Sequence, residues 1–109
     1  MVMPRQKVIA LVREVRDGLA ALYGDRLKGV YLYGSYARGD AREGSDIDVA
    51  VVLGGPVDDG EESERASDLL GDLSLRDDCV ITALFISEED FRDTPYAIHR
   101  SIVLEGVPV

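Results

Sequence analysis

Residues Tyr33 to Leu53 read Y-G-S-Y-A-R-G-D-A-R-E-G-S-D-I-D-V-A-V-V-L, and the fold turns on how this stretch divides. Val30 to Tyr33 is a β-prone run, which Gly34 stops where the chain must turn or admit another group closely. Ser35 to Arg38 is long enough for one helical turn, whose free N–H groups, with a hydroxyl beside them, suit phosphate oxygens. Gly39, Asp40 and Gly44 mark the loop that returns the chain to the sheet. Asp46 and Asp48 then alternate on a new strand, so their carboxylates point to one side roughly 6 to 7 Å apart, and Ile47, Val49, Val51 and Leu53 fill the other side. Two like charges on one face favour a cation between them, and hard oxygen ligands beside a phosphate favour magnesium.

Each half of this signal is weak alone, since D-x-D pairs are common as solvated strand starts and G-S is commoner still. Joined by ten residues, with a strand on either side, they define a candidate site. Gly34 and Ser35 would take phosphate oxygens, and Asp46 and Asp48 would take magnesium. Arg38 is within reach of a triphosphate or a partner, Arg42 less so. Ser45 either orients a carboxylate and contacts phosphate or simply forms the turn.

This G-S-x10-D-x-D pattern resembles the signature of the DNA polymerase beta-like nucleotidyltransferases. The wider text, G-S-Y-A-R-G with S-D-I-D, is most similar to the minimal nucleotidyltransferases (MNT) of prokaryotic toxin-antitoxin pairs. The stretch from Pro95 to Val109, with Ile102 and an E-G-V ending, is similar as well. The resemblance implies Asp46 and Asp48 as catalytic metal ligands, Mg2+ as cofactor and ATP as nucleotide triphosphate substrate. It also implies an antitoxin that transfers AMP to a tyrosine of a cognate HEPN-domain toxin.

The resemblance fails on the third strand. Active members carry a third carboxylate there, which ligates metal and accepts the proton of the attacking hydroxyl; counted back from Ser87, the corresponding residue is Thr82. Asp78 shares its parity but lies about 13 Å further along the strand and reads as a cap or loop residue. The alternative is therefore a catalytically degenerate binding module that neutralises its partner by complex formation. Transfer to a small hydroxylated molecule such as an aminoglycoside is a third, weaker reading.

The chain has 109 residues, enough for a single nucleotidyltransferase-like domain over 1–109 that buries roughly two thirds of its unfolded surface. No acceptor-gripping domain is expected, so a partner protein would bring the acceptor. Twelve Lys and Arg against twenty-one Asp and Glu give a net charge of −9, which opposes attraction to a nucleic-acid backbone. The one cysteine, Cys79, excludes an internal disulfide and a multi-cysteine zinc site, and reads as a buried, inert thiol. With no signal-peptide pattern and no membrane-length apolar run, a cytoplasmic protein is expected. Self-association is compatible with this reading.

The remaining elements follow from periodicity. Val8, Leu11, Val12, Val15, Leu19 and Leu22 mark one face of a helix from Arg5 to Tyr23, stopped by Gly24, with its charges on a solvated face. The acidic run Asp58 to Glu64 reads as a solvated helix start, leading into one helix to Leu75 with Ala66, Leu69, Leu70 and Leu73 inward. Lys28 to Tyr33, Asp46 to Leu53 and Cys79 to Ile86 are the expected strands, the second central. Ser87 caps a helix, and Pro95 begins a last one with Ile98 and Ile102 inward and His99 at the surface or an interface. The fold class is α/β: a small mixed sheet with helices packed on one face, a minimal nucleotidyltransferase core, its other face carrying Asp46 and Asp48.

Overall fold

The computed structural model describes residues 2–109. Helix α1 (Arg5–Tyr23) and a 3-10 turn (Gly24–Arg26) lead into strand β1 (Leu27–Tyr33) and the short helix α2 (Ser35–Arg38). Strand β2 (Ile47–Leu53) is followed by α3 (Asp59–Arg65), α4 (Ser67–Arg76), β3 (Ile81–Ser87), α5 (Glu88–Asp93), α6 (Ala97–Glu105) and β4 (Val107–Pro108). The strands form one mixed sheet in the order β3-β2-β1-β4, with β2 antiparallel to β1 and parallel to β3. The architecture is thus α/β with a central β2, whose residues from Val49 to Leu53 are all buried.

Two periodicities build the main core. Val8, Leu11, Val12, Val15 and Leu19 recur at helical spacing along α1 and meet the alternating Ile47, Val49, Val51 and Leu53 of β2, all at most 1% exposed. Each such side chain contributes about 1.5–3 kcal/mol relative to leaving it in water. The α1 stripe ends on Tyr23, not on the expected Leu22, which is solvent-exposed. Gly18 faces Leu69, and a Cβ there would lie 2.5 Å from Leu69 Cδ1, so the missing side chain lets α4 close on α1. Arg76 on α4 then clasps Glu14 on the solvated face of α1 with two exposed bonds of 2.9 and 2.6 Å.

The expected single helix from Asp59 to Leu75 is two. Ala66, buried at φ −92° and ψ 0°, separates them, and the Ser67 hydroxyl donates to Glu64 O. The break lets α3 and α4 aim at different targets: Glu62 toward Tyr23, and Leu69, Leu70 and Leu73 toward the core. Asp58 caps α3 by accepting from Glu61 N, and Asp59 accepts from Phe85 N on β3 at 2.9 Å.

Glu62 corrects the reading of the acidic run as solvated. It is 4% exposed and accepts from the Tyr23 hydroxyl at 3.0 Å, with Arg65 and Arg26 at 3.1 and 3.4 Å. Burial, with help from the Glu62 hydrogen bond and charge, pushes the Tyr23 hydroxyl up to about 12. The folded chain therefore holds this proton more tightly than the unfolded chain, whose value is near 10.0. The resulting stability is fully present below the unfolded value and lost as pH rises through the folded one. Melting temperature is expected to fall between pH 10 and about 12, and Tyr23→Phe to flatten that fall.

A smaller cluster lies on the other face of the sheet. Ala50, Ile86 and Ile102 are buried there with Tyr31, Tyr33, Leu84 and Phe91 around them, so α5 and α6 cover part of the face that carries Asp48. Ser87 caps α5 by accepting from Asp90 N, as expected. The inward stripe of α6 is His99 and Ile102; Ile98 is exposed, and His99 is 7% exposed with Nδ1 unpartnered, against the surface reading. Gly106 ends α6, and Val107–Pro108 returns to pair with Tyr31 and Leu32. Cys79 is a half-buried free thiol in the turn before β3, pushed up by burial and then by the Asp77 charge.

Candidate active site

The site begins with the register of three strands. Tyr33 on β1 faces Asp48 on β2, and Asp48 faces Thr82 on β3. Side chains two residues apart share a face, so Asp48 belongs with Ala50, and Ile47, Val49 and Val51 belong to the core opposite. The residue expected at the third-carboxylate position thus stands beside Asp48, and Thr82 Oγ1 donates to Asp48 Oδ1 at 2.7 Å.

At the end of β1 the chain turns through Gly34, with φ 75° and ψ −156°. That combination is essentially restricted to glycine. A Cβ built there would collide with Asp48 Oδ2, so the Gly34 backbone lies directly against the carboxylate. Ala37 N and Arg38 N both donate to Gly34 O, starting α2. The helix makes no use of the Ser35 and Tyr36 N–H groups, which belong to its unpaired first turn. The G-S turn and Asp48 therefore form one surface.

Asp46 is exposed, one residue before β2, and Ile47 N is held by Val80 O at 2.8 Å. Among the described residues no Lys or Arg is ion-paired with Asp46 or Asp48. Two carboxylates without a counter-charge, of which Asp48 lies against the glycine turn, are hard-oxygen donors of the kind that suits magnesium. No group of three or more His, Cys, Asp or Glu able to hold a metal occurs among the described residues, so phosphate oxygens and water would complete the shell.

The loop residues are placed as follows. Ser45 Oγ accepts from Arg42 N at 2.9 Å, and Ser45 N donates to Arg42 O, which makes Ser45 the closing residue of the turn before Asp46. Arg38 is exposed and pairs with Asp40 and, across the fold, with Glu105 at the end of α6, at 3.3 and 3.2 Å. Asp78 lies in the turn before β3 with φ 51°, as a loop residue. Tyr33 is the site neighbour that the sequence reading left as plain strand. Burial, then the charges of Asp48 and Asp59, push its hydroxyl above the usual tyrosine range. Its only sequence signal was its position directly before Gly34.

A strand-turn-helix with glycine at the turn thus lies against Asp48 of the antiparallel neighbour, with the exposed Asp46 two residues earlier. Residues 12–105 match the family model described as Nucleotidyltransferase domain, and the chain belongs to that family. It is 38% identical over 96 residues to the Methanocaldococcus jannaschii protein named "Putative protein adenylyltransferase MJ0604", covering 87% of this chain and 90% of that one. Among solved structures, one described as "a putative nucleotidyltransferase from Sulfolobus solfataricus" superposes with a TM-score of 0.69 at 22% identity, covering 95% of this chain and 80% of that one. A chain in the structure of the tri-AMPylated Shewanella oneidensis HEPN toxin in complex with MNT antitoxin gives a TM-score of 0.52 at 21% identity, covering 95% and 66%. At such identities the structural likeness speaks to the fold. No helix among the described residues is long and apolar enough to cross a membrane.

Proposed function

We propose that this chain is a magnesium-dependent adenylyltransferase that moves AMP from ATP to a tyrosine of a HEPN-domain toxin, acting as its antitoxin in the cytoplasm. The observation that carries this reading is the contact between the Gly34 backbone and the Asp48 carboxylate, which merges the phosphate-binding turn and the acid pair into one site. The name of the archaeal relative and the composition of the Shewanella complex support the choice of nucleotide and acceptor. A net charge of −9 supports a protein acceptor over a nucleic acid.

Gly34 and Ser35 would hold the β- and γ-phosphates through backbone N–H groups and the Ser35 hydroxyl. Asp46 and Asp48 would hold magnesium, which when bound neutralises phosphate charge and polarises the α-phosphoryl group. Ser45 keeps Asp46 at the mouth of the site, and Arg38 lies within one helical turn of Ser35, ready to exchange Glu105 for phosphate. The partner's tyrosine oxygen forms a bond to the α-phosphorus as the bond to pyrophosphate breaks. Thr82 cannot accept the phenolic proton, which passes to water, and transfer is slowed by on the order of 10²- to 10⁴-fold relative to a site with a positioned base.

The hydrogen bond from Thr82 to Asp48 favours a second reading, in which the chain binds nucleotide and neutralises its partner by complex formation alone. An intact-mass measurement separates the two. After incubation with this chain, ATP and magnesium, a cognate HEPN-domain toxin is expected to gain the mass of one or more AMP groups. A partner that is inhibited but unmodified would favour the binding module, and a partner neither inhibited nor modified would sink both readings.

A further inference from the structure

We infer that Thr82 makes this a site for a single divalent cation, its hydroxyl acting as a positioning group for Asp48. The inference rests on the reading of Asp46 and Asp48 as metal ligands and concerns only how many ions they hold and what fixes them.

The parallel register sets Thr82 directly beside Asp48 on the open face, and Oγ1 reaches Oδ1 at 2.7 Å. A hydroxyl bonded to an ionised oxygen at that distance is a short, strong contact. Threonine is branched at Cβ, so its side-chain torsion is restricted and the donor stays in place. With Oδ1 engaged and Oδ2 turned against Gly34, the Asp48 carboxylate is held in one orientation before any ligand arrives. Asp46 has no such partner among the described residues and is exposed.

Two ions in a phosphoryl-transfer site lie roughly 3.5–4 Å apart and must each be ligated. Each octahedral magnesium demands six oxygens, and their mutual repulsion has to be offset by acidic charge. Among the described residues no group of three acids or other ligating side chains forms, and the third position carries a neutral hydroxyl already committed to Asp48, which leaves Asp46 and Asp48 as the carboxylates the proposed site can offer. Asp46, Asp48 and the phosphates would hold one ion, and a second would find no carboxylate of its own. Thr82 therefore occupies the place of a ligand and base while serving to orient the neighbouring acid.

The test is a Mn2+ titration followed by electron paramagnetic resonance, with the full chain saturated in α,β-methylene-ATP, whose carbon bridge between the α- and β-phosphates cannot be cleaved in AMP transfer. The parent chain is expected to bind one ion. Thr82→Val should still bind one, with affinity lowered roughly tenfold for loss of a hydrogen bond to a charged group. Thr82→Ser should restore the parent affinity, and Thr82→Asp should bind two ions. Melting curves taken alongside confirm that each variant folds. Two ions on the parent, an unchanged affinity in Thr82→Val, or no second ion in Thr82→Asp would overturn the inference while leaving the proposed function intact. No ion on any variant would instead remove the metal site on which that function depends.

Discussion

The Asp46→Asn, Asp48→Asn double variant is expected to transfer AMP at least about 10³-fold more slowly than the parent, because it removes both charged metal ligands while keeping their shape. Its fold should survive. Neither acid is ion-paired with a Lys or Arg among the described residues, so neutralising them breaks no salt bridge. The amide at position 48 still offers an oxygen to Thr82, which donates to Oδ1 in the parent. The measurement is incorporation of label from α-radiolabelled ATP into the partner, beside a thermal melt. A labelling rate equal to the parent's would leave the acid pair without a chemical role.

Gly34→Ala is the substitution with the largest expected effect on stability. Backbone in this φ, ψ region costs of order 1–3 kcal/mol for a residue with a Cβ, and the added carbon would also collide with Asp48 Oδ2. A destabilisation of about 2–4 kcal/mol follows, which in a domain of this size lowers the melting temperature by about 10–20 °C. Nucleotide binding should fail as well, since relief of the collision requires Asp48 to leave its bond with Thr82. A melt within a few degrees of the parent, with AMP-PNP affinity retained, would show that the turn tolerates a side chain and that the phosphate cradle lies elsewhere.

Much of this was readable from the sequence, for identifiable reasons. Helix α1 has the expected limits because five core positions repeat at helical spacing and Gly24 follows at once. The pairing of Thr82 with Asp48 follows from counting residues along two strands whose ends are marked, by the Gly54-Gly55 pair and by Ser87. Strand β4 is two residues long and carries no period at all, so only Gly106 hinted that the chain turns there. The misreadings concern residues whose environment is supplied from far away. Glu62 is buried because Tyr23 and Arg26 come from 39 and 36 residues earlier. His99 turns inward because Ile102, one helical turn on, does so too, and the expected Ile98 stripe is rotated outward.

The bond from Phe85 N to Asp59 has a consequence for how these molecules meet one another. Strand β3 ends the sheet, and a bare row of amides on such a margin invites a neighbouring chain to add itself and keep adding. Here the middle of that row is already taken by a carboxylate from the same molecule, backed by α3, so an incoming strand would have to displace a negative charge before its first bond could form. Crowded copies therefore find no ready template for growth into fibres along this side.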